Sequence, residues 1–167
     1  MKIYVAGPDV FRPDSAALAA EARKAVESYG HRALLPADNE ASTAEGIFRA
    51  NLAQITECDA VVADLNPFRG DEPDSGTCFE VGCAIALGKR VVGYVGDARP
   101  MADRLAEKYG LPVPAEGCRL LDPDGDAIED FGLPLNLMLS VPCEIVEGRI
   151  REALSKIGSA APGGGIF

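Results

Sequence analysis

The sequence predicts an α/β fold, a doubly wound five-stranded parallel sheet in the order 2-1-3-4-5 with helices on both faces. Three observations carry this expectation. Short apolar runs alternate along the chain with stretches whose apolar residues recur at helical spacing. The third run is continuously apolar, as a parallel strand covered on both faces must be. The 167 residues, 47% of them hydrophobic, suffice for one compact unit burying roughly 70% of its unfolded surface, but hardly for a second core.

Residues 2–6 form the first strand and end in Gly7-Pro8. From Asp14 to Tyr29 the positions Leu18, Ala22, Ala25, Val26 and Tyr29 make a helical stripe that Gly30 terminates. Residues 32–35 are a second strand, stopped by Pro36. Ser42 with Glu45 three positions later reads as a capping box opening a helix whose inward residues are Ile47, Phe48, Leu52 and Ile55, and Asp59 closes it. Residues 60–63 are the third strand and run into the loop 64–70, whose Pro67 and Gly70 exclude regular structure. A helix over 77–87 ends at Gly88, and a fourth strand follows over 90–94. A weaker helix follows Pro100, and residues 110–133, with Pro112, Pro114 and Pro123, read as an extended excursion. Residues 143–146 and 149–157 supply the last strand and helix. Residues 1–157 thus make one domain, and the Gly-rich residues 158–167 make a tail.

Five strands so connected suggest the flavodoxin-like order, in which the ligand crevice lies beyond the C-terminal ends of strands one and three. Those ends are the loops 7–13 and 64–75, the most unusual in the sequence.

Composition narrows the function. The net charge is −10 and Lys and Arg gather into no stripe, so a nucleic-acid polymer is an unfavourable partner and a small neutral or cationic ligand an easier one. No apolar run reaches the roughly 18 residues a bilayer requires, and the N-terminus lacks the apolar stretch of a signal peptide. A soluble, cytoplasmic protein without membrane contact is expected. The five cysteines are odd in number and lack paired short spacings, which suits reduced thiols. With His31 the single histidine, read as a surface residue at a strand entrance, no metal and no cofactor is expected.

The chemistry concentrates between Asp64 and Glu80, where five carboxylates occupy seventeen positions. One reading is a solvated loop in which Asp74 or Thr77 merely caps the next helix. The other starts from Glu80, placed within about the first turn of that helix, pointing toward the crevice and kept ionised by the helix N-terminus. Displacement at a sugar carbon needs a negative partner for an oxocarbenium-like transition state and a proton for the leaving group. A second acid, Asp74, six residues upstream meets that need. Their closeness would push one pKa up and leave the other low.

Several segments together resemble the nucleoside 2-deoxyribosyltransferases: Ile3-Tyr4-Val5-Ala6-Gly7-Pro8, Cys58-Asp59-Ala60-Val61-Val62-Ala63-Asp64, Pro67-Phe68-Arg69-Gly70 with Glu72-Pro73-Asp74-Ser75-Gly76-Thr77, Glu80-Val81-Gly82, and Pro134-Leu135-Asn136-Leu137-Met138-Leu139. They run in order from residue 3 to about 140. The resemblance implies transfer of 2-deoxyribose between nucleobases in deoxyribonucleoside salvage, by a retaining double displacement through a sugar ester on Glu80. Asp74 is then the acid assisting proton transfer. Tyr4, at the end of strand one, orients the nucleophile, although a tyrosine there also suits sheet packing. Substrate-binding roles fall on Gly7, Phe11, Asp38, Asn51 and Asp64, and on Phe68, Arg69, Asn136 and Met138. Phe68 either stacks on the base or plugs the loop from beneath.

Asn136 is implied to reach a neighbouring subunit's site and bind the sugar hydroxyls, which makes a homo-oligomer part of the active site. Read without the resemblance, residues 134–139 are an apolar strand whose Asn136 needs a partner from a ligand or another chain. Some relatives carry an aspartate where Asn51 stands and end in an aromatic carboxylate that enters the site; Phe167, behind three glycines, is left out of it here. The expected partners are a deoxynucleoside and a free nucleobase. Two rival readings remain: a deoxynucleoside 5'-monophosphate N-glycosidase, which would need phosphate-binding loops, and a non-catalytic nucleotide-binding module on the same fold.

Overall fold

The computed structural model describes residues 1–115 and 118–158. Its five strands are β1 (Lys2–Ala6), β2 (Arg32–Leu34), β3 (Ala60–Asp64), β4 (Arg90–Val95) and β5 (Glu144–Glu147). Every pairing is parallel and the order is β2-β1-β3-β4-β5, the topology the alternating pattern implies. Six helices connect and flank them: α1 (Ser15–Ser28), α2 (Ala44–Glu57), α3 (Ser75–Ala86), α4 (Met101–Tyr109), the short α5 (Leu137–Ser140) and α6 (Ile150–Gly158). Two 3-10 turns, Pro8–Phe11 and Pro36–Asp38, follow β1 and β2. Residues 159–167, including most of the expected tail and Phe167, lie outside the described residues.

Successive strand residues point to opposite faces, so each strand feeds two cores. Tyr4, Ala6, Val61 and Ala63 enter the core shared with Ile55 of α2 and Val81 and Ala84 of α3. Ile3, Ala60, Val62 and Val92 enter the core under α1 and α6, with Val26, Leu154 and Ile157. This alternation sends Tyr4 to the α2/α3 side while its neighbour Ile3 faces away.

Three local expectations differ from the structure. The cap of α2 is Thr43, not Ser42: its hydroxyl accepts from the Gly46 amide at 3.1 Å, one residue later than the Ser-Glu spacing suggests. Ile47 and Phe48 do not turn inward; Phe48 is 50% exposed and its ring meets that of Phe79, 51% exposed on α3, at 5.9 Å. With the sheet contact of α2 made around Ile55, the ridge one turn and more earlier faces out. Residues 134–139 are not a strand, because Asn136 starts α5 by accepting from the Met138 amide. Residues 118–133 are irregular apart from one bridge between Leu121 and Ala127. No helix among the described residues is long and apolar enough to cross a membrane.

Candidate active site

Tyr4 lies in the middle of β1 rather than at its end, and it is fully buried. Its hydroxyl donates to Glu80 Oε1 at 2.6 Å. The same oxygen accepts from Asn51 Nδ2 of α2 at 3.1 Å. A strand and two helices therefore converge on one carboxylate, and both bonds fall on Oε1. The second oxygen, Oε2, takes neither.

Glu80 is the sixth residue of α3, in its second turn, deeper than the first-turn position expected. The helix N-terminus acts mainly within the first turn, so it is not what governs this carboxyl. Burial pushes the Glu80 carboxyl above its ordinary range, the bonds from Tyr4 and Asn51 pull it back, and the charge of Asp74 adds a smaller upward push. Expectation and structure thus differ on how Glu80 is held: desolvation raises its pKa, and two specific donors favour the charged form. Burial and the neighbouring carboxylate also raise the Tyr4 hydroxyl far beyond any working pH, so Tyr4 is a fixed neutral donor.

Asp74 is the N-cap of α3. Its Oδ2 accepts from the Thr77 amide at 2.9 Å and the Thr77 hydroxyl at 3.1 Å. The capping reading of this residue is therefore realised, and Thr77, 2% exposed, is the partner that locks it. Both capping bonds fall on Oδ2, and Oδ1 takes neither.

The loops after β1 and β3 make contacts of their own. Gly7 passes so close to β3 that a β-carbon there would stand 3.1 Å from Cβ of Asp64, a tight contact glycine avoids. Asp64 accepts from the Asn66 amide and side chain at 3.0 and 2.7 Å. Phe11 and Phe68 stack with centroids 5.7 Å apart, and the Arg69 guanidinium sits 4.9 and 4.7 Å from their rings. Phe68 is one half of an aromatic pair capped by a cation. Arg69 takes a left-handed φ of 54, unusual for a side chain with a β-carbon.

Not every nominated residue joins this arrangement. Asp38 accepts from the Leu35 amide at 3.0 Å and pairs with Arg23 of α1, so its carboxylate ties a turn to a helix. Asn136 Nδ2 donates to Glu129 Oε1 at 2.7 Å, and its Oδ1 caps α5. The partner that an interior asparagine requires is supplied within the chain, while Met138 beside it is 73% exposed.

Four residues of this region escaped the sequence reading. Asn39 bonds Asn51. Asn66 links Asp64 to the Gly96 amide, 2.7 Å from its Oδ1. Glu129 holds both Asn136 and the Leu137 amide. Asp9 sits near Asp64, its carboxyl raised by burial first and by that neighbour second. Only the Asp64-x-Asn66 spacing carries a local signal, that of a side chain bonding two residues on. A cleft of about 930 Å³ on the α1/α6 side includes Asp9, Asp64 and Tyr94 but not Glu80. Among the described residues, no three His, Cys, Asp or Glu side chains gather to hold a metal ion.

Residues 3–138 match the family model described as nucleoside 2-deoxyribosyltransferase. A 2-deoxyribosyltransferase structure from Leishmania mexicana is 39% identical, with a TM-score of 0.77, covering 94% of this chain and 96% of that one. A conserved protein from Enterococcus faecalis shares the fold at 21% identity and a TM-score of 0.61, over 94% and 96% of the two chains. An uncharacterised protein of Schizosaccharomyces pombe is 28% identical over 113 residues, 62% of this chain; the match spans 54% of that protein's length.

Proposed function

The chain belongs to the nucleoside 2-deoxyribosyltransferase family, and from that premise we propose that it moves 2-deoxyribose from one nucleobase to another through a covalent ester on Glu80. The single observation that carries this reading is the clamp on Glu80: Tyr4 and Asn51 hold Oε1 and leave Oε2 as the attacking atom. As the Oε2–C1' bond forms, the C1'–N bond breaks, its electron pair passes to the departing base nitrogen, and that nitrogen takes a proton. An incoming base reverses the sequence: its nitrogen bonds C1', the ester bond breaks, and Glu80 regains its charge. Asp74, with Oδ1 outside its capping bonds, handles the proton. The Phe11–Phe68 pair gives the base a stacking wall. A second copy of the chain completes the sugar pocket with Asn136 and the exposed Met138.

A free deoxynucleoside suits the crevice better than a 5'-monophosphate. The loop arginines are engaged, Arg69 over the aromatic pair and Arg12 3.9 Å from Asp9, and the loops add the carboxylates of Asp9 and Asp64. The test is intact-mass measurement on enzyme quenched during turnover of a purine deoxynucleoside with free cytosine or adenine. A deoxyribosyl adduct on Glu80 and a new nucleoside are expected; free sugar without exchange favours the hydrolase, and turnover by Glu80→Ala ends the nucleophile assignment. A ribonucleoside donor is expected to react poorly.

A further inference from the structure

Asn39 follows the 3-10 turn after β2, half-buried, and three bonds use both ends of its amide. Its Oδ1 accepts from the Ala41 amide at 3.1 Å, and its Nδ2 donates to the Pro36 carbonyl at 2.5 Å and to Asn51 Oδ1 at 3.3 Å. A backbone N–H can only donate and a carbonyl can only accept, so the Asn39 amide has one permitted orientation. That orientation presents a donor to Asn51. Asn51 must then offer its oxygen to Asn39 and its own N–H to Glu80.

We propose that Asn39 is a positioning residue, which fixes by backbone polarity the end of the Asn51 amide that faces Glu80. An unconstrained Asn51 has two rotamers of nearly equal shape. One donates to the charged carboxylate; the other turns an oxygen toward it and favours the protonated acid. Asn39 removes the second choice without touching Glu80. The inference rests on the reading of Glu80 as nucleophile, because only a charged Glu80 needs the donor.

The titratable groups facing Glu80 are Tyr4 from β1 and Asp74 from the start of α3. Asp64, at the end of β3, is bonded by Asn66, β4 turns Tyr94 to the opposite core, and α5 carries no ionisable side chain. The neutral amide from α2 is thus the adjustable contact.

The experiment measures kcat and KM against pH for base exchange in wild type, Asn39→Ala, Asn39→Asp, Asn51→Ala, Asn39→Ala/Asn51→Ala and Glu80→Ala. Asn39→Ala is expected to lower kcat about tenfold with KM within about twofold. Its acid limb moves to higher pH, because the donor that favours ionised Glu80 is no longer fixed. Asn39→Asp keeps the bond from Ala41 but offers no donor, so Asn51 reverses and the limb moves at least as far; this variant serves if the alanine does not fold. The double variant is expected to be no slower than Asn51→Ala alone. Effects that multiply in the double variant, or a change in melting temperature with an unmoved acid limb, overturn the relay. Turnover by Glu80→Ala overturns the nucleophile reading itself, whereas an inactive Glu80→Ala with multiplying asparagine effects sinks the relay alone.

Discussion

The Tyr4 hydroxyl and Glu80 Oε1, 76 positions apart in sequence, stand 2.6 Å from each other. Removing that hydroxyl leaves the aromatic ring in its buried place and takes one of two donors from the carboxylate. Tyr4→Phe is expected to fold and to lower kcat by about 10- to 100-fold. Because the lost bond had favoured the charged form, Glu80 then loses its charge at a higher pH, and the acid limb of the rate profile rises. An unmoved limb in a pH–rate series removes Tyr4 from the mechanism.

Glu80 carries a raised pKa in the folded state, chiefly from burial. A raised carboxyl contributes stability below its unfolded pKa and loses it as pH rises through the folded value. Glu80→Gln keeps an oxygen for Tyr4 and Asn51 without the charge. It is expected to gain on the order of 1 kcal/mol at neutral pH, about 2–4 °C in Tm for a chain of this size. The gain should vanish in acid below the ordinary carboxyl range. Thermal melts at the two pH values check it, and a less stable variant at neutral pH contradicts it.

Asp74 has a structural duty that is separable from a chemical one. Asn is as good a cap as Asp, whereas Ala costs about 1 kcal/mol at such a position. Asp74→Asn is therefore expected to melt within about 2 °C of wild type and yet to lose about 100-fold or more in kcat. Wild-type turnover by the Asn variant leaves capping as the whole role of this residue.

If Asn136 completes a neighbour's site, two inactive variants can restore each other. Mixing Glu80→Ala with Asn136→Ala under conditions of subunit exchange is expected to return about a quarter of wild-type activity in a dimer. One site in each mixed dimer then has both an intact Glu80 and an intact partner asparagine. No recovery, with mixed oligomers demonstrated by mass, confines Asn136 to its contacts with Glu129 and Met138.

Much of this protein is legible along the chain. The continuous run at 60–63, Gly88 in a left-handed φ of 69 after α3, and Pro36 after β2 are local signals set by backbone sterics and side-chain spacing. They locate the elements, and with the preference for short, right-handed parallel crossovers they lead to the β2-β1-β3-β4-β5 order. Glu80 and Asp74 are legible as acids near a helix start, whereas Tyr4 is singled out only by the family resemblance, since a tyrosine in an apolar run also suits sheet packing.

The alternation of strands and helices, the two unusual loops after strands one and three, and the family resemblance carried by segments between residues 3 and 139 can all be read from the chain before it folds. Docking of the elements on one another sets which side of the sheet Tyr4 faces relative to α3, the outward direction of Ile47 and Phe48, the pairing of Asn136 with Glu129, and the contact of Asn39 with Asn51. Range along the chain separates the two. Periods of two and 3.6 residues are properties of a few neighbouring dihedrals, whereas the contacts on Glu80 exist only after separate elements have docked on one sheet and set the distances between side chains that no local pattern connects.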